Sequence, residues 1–250
     1  MPKVSVITPA FNVALFLEET IKSVQAQTFG DWEMIIVDDC SSDETFKIAN
    51  DFSKNDSRIK VLQNEKNSGV AAARNKALDV AVGQYVAFLD ADDLWLPKKL
   101  ESQIKFMEAG QHVLTYTNYQ KFDSDTGKRY GKIIKAPSTM SAKKIYGDTS
   151  IGCLTVMVDR TISGMFHMPI VEHTEDNITW QNILAKGFMA YRLDEVLALY
   201  RVGNKSLTSG KKKAAKQQWQ IYREYYNFSI PKSALYFASY AFYAVKKHFF

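Results

Sequence analysis

"YVAFLDADDLWLP", Tyr85–Pro97, passes from an apolar run into three carboxylates, Asp90, Asp92 and Asp93. A short continuous apolar run of this kind reads as a strand buried on both faces. Such a strand belongs to a parallel sheet covered by helices, and its carboxylates then stand at the strand's carboxyl end. Three acidic groups that close repel one another unless positive charge lies among them. Asp-Ala-Asp has the alternation that suits a hard divalent cation with oxygen ligands. Taken alone, however, the triplet favours a solvated acidic turn before a helix, because Asp-rich turns are common. An EF-hand is excluded, since "DADDLWLPKKLE" lacks the further acidic positions and the glycine at fixed offsets.

Working outward, strand and helix alternate. "KVSVITPAF" reads as a buried strand ending in a Pro turn, and "LFLEETIKSVQAQT" carries Leu17, Ile21 and Val24 at helical spacing. "WEMIIVDD" is a second strand. "CSSDETFKIANDF" begins a helix, with Ser41 and Glu44 spaced as a capping box. "RIKVLQNE", "GVAAARNKALDVA" and "YVAFLD" continue the series, and "PKKLESQIKFMEA" opens with Pro97 at a first-turn position. Repeated β-α-β units predict an α/β fold, a Rossmann-like, mostly parallel sheet flanked by helices. Beyond Gly110 the pattern is mixed. "HVLTYTNYQKFD" and "CLTVMVDR" read as strands, "EDNITWQNILAKG" as a helix closed by Gly187, and "MAYRLDEVLALYRV" as a strand pair or one broken strand. No linker appears before about residue 203 by Pro/Gly/Ser and charge signals. The expected organisation is a catalytic unit over 1–210, with halves 1–100 and 101–210, and a helical tail over 211–250.

The chain has 250 residues, 46% hydrophobic and 24% charged, which is a globular composition. Its net charge of +5 is uneven: from Arg201 onward there are ten Lys or Arg and one acid, Glu224, so the first 200 residues are net acidic. Cys40 and Cys153 share no ligand spacing and read as unpaired thiols of a reducing compartment. "MPKVSVITPAF" already reads as a strand, so no secretory leader is expected. No stretch offers the roughly 20 uninterrupted apolar residues of a spanning helix.

In open parallel sheets, ligands bind at the strands' carboxyl ends. Thr8 and Pro9 follow the first strand, Asp38 and Asp39 the second, and Asp90, Asp92 and Asp93 the fourth. Arg74 stands early in the helix after the third. Four segments thus converge on one sheet edge. A P-loop and a dinucleotide fingerprint are absent, because "NSGVAAARN" supplies a single glycine. Any bound nucleotide then needs a metal to neutralise its phosphates. The four histidines, His112, His167, His173 and His248, share no ligand spacing, and no Ser or Cys sits in a nucleophile elbow.

"VSVITPAFN", "VDDCSSDET", "NSGVAAARNKAL" and "FLDADDLWLP", in this order, resemble the nucleotide-binding half of family-2 inverting glycosyltransferases of the bacterial cell-surface polysaccharide type. The resemblance covers residues 3–100, continues loosely through "HTEDNITWQNILAKG" and "LYRVGNKSLTSG", and fades after about residue 212. It implies the A-type glycosyltransferase fold and roles by position. Thr8, Pro9 and Phe11 would line the base and ribose pocket, Asp39 would accept a hydrogen bond from the base, and Arg74 would hold the nucleotide. Asp90 would lie near ribose and metal, and Asp92 would ligate Mn2+ or Mg2+. Asp176 matches the catalytic base, although Glu175 and Asp176 also suit a helix N-terminus as ordinary first-turn acids. Arg201, Lys205 and Ser206 fall where a basic loop covers the diphosphate, or on a plain surface loop. Trp95 and Trp180 read as sugar-stacking or core residues. The Gln-x-x-Arg-Trp segment of processive relatives is absent, which implies one sugar added per encounter.

The expectation is metal-dependent, inverting transfer from a nucleotide-sugar, UDP-linked by resemblance, to a glycan or lipid-linked glycan. A nucleotidyltransferase and a non-catalytic sugar-nucleotide-binding scaffold are the alternatives. The tail, "SIPKSALYFASYAFYAVKKHFF" with Lys246 and Lys247 near its end, has the composition of an interfacial helix. It would lie on the cytoplasmic face of the membrane, or pack on the domain or on a second subunit. Nothing beyond basic-aromatic interleaving suggests nucleic acid.

Overall fold

The computed structural model describes residues 1–124, 126–202 and 211–249. Two seven-residue apolar runs become strands buried along their whole length, β1 (Val4–Ala10) and β2 (Trp32–Asp38). With β3 (Ile59–Gln63) and β4 (Tyr85–Phe88) they form a parallel sheet in the order β3-β2-β1-β4. The crossovers are α1 (Leu17–Gln25), α2 (Thr45–Asn55) and α3 (Val70–Val80). Burial on both faces explains the unbroken apolar strands, since alternate side chains enter opposite layers. Ile7, Ile35 and Phe88 pack in one layer, while Val6, Met34 and Ala87 pack in the other.

The second half extends the same sheet. The acidic turn leads into a two-residue strand, β5 (Leu94–Trp95), and α4 (Lys99–Gly110) follows. Pro97 therefore lies just before the helix rather than in its first turn. β6 (Leu114–Asp123), β7 (Arg129–Ile134) and β8 (Thr139–Ser141) come next. "CLTVMVDR" is a 3-10 turn and only a short strand, β9 (Met157–Asp159), which pairs antiparallel with β4 and β6. After α5 (Arg160–Ser163) and α6 (Glu175–Leu184), "MAYRLDEVLALYRV" forms one strand, β10 (Met189–Val202). β10 runs parallel to β6 with register shifts between Leu193 and Ala198, which is the break read in the sequence. The long pairings are parallel and the antiparallel ones short.

The tail comprises α7 (Lys211–Gln220), a π-helical turn at Ile221–Tyr225, and α8 (Ile230–Phe249). It packs on the catalytic unit through aromatics: Tyr222 is buried and donates to the Tyr146 carbonyl at 2.5 Å, and the Tyr146 ring meets Phe228 and Tyr236. Among the described residues no helix is long and apolar enough to cross a membrane. Lys205 and Ser206 lie outside the described residues, as do the side chains of Lys246 and Lys247.

The expected capping box does not form. Ser41 Oγ accepts from the Asn12 backbone N–H at 2.9 Å, and Asp43 Oδ1 takes the Thr45 N–H at 3.0 Å. Asp43 Oδ2 accepts from Ala14 N–H at 3.1 Å, and Thr45 Oγ1 from Val13 N–H at 2.8 Å. The polar "SSDET" run stitches the loop after β2 to the loop after β1.

One buried charge stands apart from the acidic edge. Lys99 is fully buried, with its ammonium 2.6 Å from Gln103 Oε1 and over the Trp95 ring. Burial lowers its pKa from 10.5 to about 7. The unfolded chain therefore holds more protons at this position between these values, so its contribution to stability rises with pH across that window. Lys99→Met removes the term. The unfolding free energy of Lys99→Met minus that of the wild type should fall as pH rises from 7 to 10 in urea titrations; a flat difference would contradict a depressed Lys99.

Candidate active site

The three carboxylates separate by direction. Asp93 turns inward: it is buried, and its Oδ1 accepts from the Arg201 backbone N–H at 2.8 Å. Burial pushes its carboxyl well above the usual range, with Asp92 and Asp90 adding to the effect. The carbonyls of Ala91 and Asp93 both lie 2.9 Å from Thr20 Oγ1, which ties the turn to α1. Asp90 and Asp92 remain partly exposed at the strand end. Burial and then the neighbouring Asp90 push Asp92 up to about 6, while Arg201 opposes the shift.

Arg201 is a correction to the sequence reading. It does not sit in an open basic loop. It ends β10, with its guanidinium packed against Phe16 and Phe122. Its Nε donates to the Asp92 carbonyl at 2.6 Å and its NH2 to Glu19 at 2.7 Å. Arg201 therefore holds the acidic turn from behind. Thr8 and Pro9 also move: β1 continues through Ala10, both residues are buried within it, and Phe11, 45% exposed, is the first at the open edge.

Asp39 is buried beside the end of β1, its N–H donating to the Ala10 carbonyl at 2.8 Å. Its Oδ1 accepts from Asn64 Nδ2 at 2.7 Å and Ser68 N–H at 2.9 Å, and its Oδ2 from Gly69 N–H at 2.7 Å. Gly69 precedes α3 at φ +87°, a backbone region open to glycine at little steric cost. Asp39 thus shapes the "NSG" loop, and its Oδ2 keeps a free lone pair for a further donor.

Arg74, on α3, joins the two halves. Its side chain is 4% exposed; NH2 contacts Asp90 Oδ1 at 2.6 Å and NH1 contacts Glu175 Oε1 at 2.7 Å. The two carboxylates hold the guanidinium protonated against its burial. Beside it Asn75 clamps the Met168 backbone, accepting from its N–H at 2.7 Å and donating to its carbonyl at 2.8 Å. That clamp brings the segment before α6 onto α3.

Asp176 follows Glu175 at the start of α6, after Thr174 in the left-handed region at φ 65°. Burial, then the Glu175 charge, push its carboxyl up to about 6, and Arg74 pulls the other way. One oxygen accepts from the Asn177 N–H at 2.7 Å. Sequence reasoning singled out Asp176 and treated Glu175 only as its neighbour. No sequence signal singled out Glu175, because the burial of Arg74 that recruits it appears only in the fold. Cys153 is also buried, and burial pushes its thiol well above its ordinary value. No sequence spacing announced it. Trp95 and Trp180 are core residues. Trp95 Nε1 donates to the Leu154 carbonyl at 2.8 Å, and Trp180 packs edge-on against Phe88 at 5.1 Å.

A sheet edge with paired carboxylates at a strand end, linked through one arginine to a second acidic pair, suits transfer between two bound substrates. The sequence profile of glycosyl transferase family 2 matches residues 5–167. The chain belongs to that family. It is 46% identical over 246 residues to a Bacillus subtilis (strain 168) protein provisionally named as a teichuronic acid biosynthesis glycosyltransferase, TuaG, covering 98% of this chain and 97% of the relative. It is 38% identical over 249 residues to the Escherichia coli UDP-Glc:alpha-D-GlcNAc-diphosphoundecaprenol beta-1,3-glucosyltransferase WfgD, covering 99% and 95%. The mannosyltransferase PcManGT of Pyrobaculum calidifontis, solved with GDP-Man and Mn2+, superposes with a TM-score of 0.72 at 19% identity over 98% of this chain and 71% of that one. The chain is a glycosyltransferase with the A-type fold.

Arg74→Met strands the buried Glu175 and the partly exposed Asp90. It should lower the unfolding free energy by about 3 kcal/mol in chemical denaturation, the range for removing one partner of a buried pair. A loss no larger than that of an exposed-arginine variant would show that the bridge carries no such weight.

Proposed function

We propose that this enzyme transfers a single sugar, with inversion, from a UDP-sugar to a hydroxyl of a lipid-linked glycan in cell-surface polysaccharide synthesis. The observation that carries the reading is the Arg74 bridge between Asp90 and Glu175. It couples the strand end suited to a donor diphosphate to the helix start suited to an acceptor. The names of TuaG and WfgD support polysaccharide synthesis, a UDP-linked donor and a lipid-diphosphate acceptor. In this reading residues 1–100 form the donor half, residues 101–210 the acceptor half, and the remainder a tail at the cytoplasmic face of the membrane.

On the donor side, Phe11 and the spare lone pair of Asp39 receive the base, within the loop that Asp39 itself orders. Asp90 and Asp92 fit a hard divalent cation, Mn2+ or Mg2+. Asp92 is partly buried beside Asp90 and pushed up to about 6, so a cation there relieves a repulsion already built into the turn. Asp92 would hold it directly with Asp90 in support. Among the described residues no cluster of three His, Cys, Asp or Glu forms a full cage, so the donor's phosphate oxygens would complete the ligand set. When bound, such a cation supplies charge stabilisation to the departing diphosphate.

On the acceptor side, Asp176 takes the hydroxyl proton as that oxygen forms its bond to the anomeric carbon. The bond from the anomeric carbon to phosphate oxygen breaks, and its electron pair leaves with the nucleoside diphosphate. One displacement inverts the centre and needs no covalent nucleophile. A carboxyl raised to about 6 is a stronger base than an ordinary aspartate and is still ionised at pH 7. Arg74 keeps Glu175 and Asp90 from raising it further.

Asp176→Asn should retain UDP-sugar binding by calorimetry and lose transfer by about 10²–10⁴-fold. Transfer by the wild type should fall as pH drops through about 6, where Asp176 takes up its proton. Undiminished transfer by Asp176→Asn would remove it from the mechanism. Asp92→Ala should abolish Mn2+-dependent donor binding; turnover surviving both this change and chelation would end the metal assignment.

A further inference from the structure

The outward face of α8 reverses the usual pattern. A surface helix normally turns polar residues to water. Ile230, Leu235 and Phe242 are instead 63%, 69% and 63% exposed. Between them stand Pro231, Ala234, Ala238 and Ala241, all exposed. At about 100° per residue these positions fill a stripe of about 140° that takes in no polar side chain between Ile230 and Tyr243. The opposite face is committed to the catalytic unit, with Ser233 buried and the Tyr236 ring against Tyr146. The stripe is therefore not a misplaced core face.

One edge of the stripe opens into a groove of about 370 Å³. Leu235 belongs to both, and Tyr236, Ser239 and Tyr243 continue the groove wall along α8. Lys143 and Lys144 line it, both exposed. Lys232 stands on the groove side of α8, its ammonium over the Phe228 ring. No acidic residue occurs between Lys128 and Gly147, and Glu224 is the one acid from Lys211 to Phe249. An apolar stripe beside a groove with cationic and hydroxyl groups matches the layering of a bilayer surface, acyl chains below and phosphates above.

We infer that this face, the α8 stripe together with the Lys143–Lys144 groove, is the surface by which the enzyme sits on an anionic bilayer, with a lipid phosphate in the groove. The inference rests on the peripheral reading above and assigns it a place. Charge decides against a second copy of the chain as occupant. A two-fold interface opposes each patch to itself, and this one would set Lys143, Lys144 and Lys232 against their own kind without an acidic partner. A bilayer containing anionic lipid supplies the missing charge and the apolar phase together. α8 then lies in the plane of the interface.

The test is co-sedimentation of the full chain with vesicles of phosphatidylcholine alone and of phosphatidylcholine with phosphatidylglycerol. Two surface pairs are compared, Leu235→Glu with Phe242→Glu, and Lys143→Glu with Lys144→Glu. A control, Lys47→Glu with Lys54→Glu on α2, makes the same net charge change as the lysine pair, far along the chain. The wild type and the control should prefer the anionic vesicles, and each surface pair should bind them about tenfold or more weakly, the scale set by losing two basic contacts. Unchanged thermal stabilisation by UDP-sugar in the surface pairs shows that the fold is intact. If the wild type binds but the surface pairs bind like the control, this surface is wrong while the peripheral reading stands. If the wild type binds neither vesicle, both fall. If light scattering without vesicles finds a dimer that Leu235→Glu with Phe242→Glu converts to a monomer, the face belongs to a second copy and the inference is overturned.

Discussion

One buried cation organises the catalytic edge. Arg74 sits on α3 with almost no exposure and two carboxylates in contact, Asp90 from the end of β4 and Glu175 from the start of α6. Burying a guanidinium without partners is costly, and one carboxylate would leave part of its fork unsatisfied. The second partner can come only from a segment far along the chain. The demand for charge balance at Arg74 is thus a demand that the two halves close on each other. The Asn75 clamp on Met168 meets the same demand with backbone hydrogen bonds, so the approach of α6 is fixed twice.

The acidic turn depends on an opposite arrangement. Its outward pair, Asp90 and Asp92, is held in mutual repulsion by elements that do not themselves touch a donor. Asp93 is drawn inward onto the Arg201 backbone, Thr20 reaches two of the turn's carbonyls, and Arg201 takes a third. Burial, then the neighbouring Asp90, raise the Asp92 carboxyl to about 6, and positive charge beside the pair would relieve that shift. The rigidity of the turn keeps that charge from being supplied by simple rearrangement. Arg201 contributes by its reach from β10 to the acidic turn and α1.

The fold was legible because its cause is local. Apolar runs such as "MIIVD" have no other use than a strand covered on both faces, and the helices between them carry a clear period. Strand ends then fall on one edge by topology alone, so Asp39, Asp90, Asp92 and Arg74 were findable together. What failed to be legible depends on side-chain direction over distance. Nothing in "LYRV" says that Arg201 turns back under the acidic turn. Nothing near Thr8 says that the strand runs two residues further. "CSSDET" offered a capping box by spacing, but its oxygens find the backbone N–H groups of Asn12, Val13 and Ala14 instead, which are nearer in space though about thirty positions away. The tryptophans were ambiguous for the same reason: an indole packs or stacks according to what faces it.

The tail shows how one helix can answer two readings that the sequence held apart. Its apolar content was read as either an interfacial surface or a packing surface, and α8 divides the residues between faces. The packed face is aromatic and hydroxylated, and it closes on Tyr146 and Tyr222 with specific contacts. From Ile230 to Tyr243 the outward face is apolar, with small residues between large ones and no hydrogen-bonding side chain in its stripe. A helix meant only to cap the domain gains nothing from that second composition, since exposed apolar area costs free energy in water. The separation of chemistries around one axis follows if the helix lies between a protein and an apolar phase. On the proposed function it would also bring the acceptor half to the phase where a lipid-linked acceptor is held, because α7 meets the loop before Asp176 through Lys213 and Glu172 at 2.7 Å. With the proposed roles, the tail that touches the loop before Asp176 would also set how far that carboxylate stands from the bilayer.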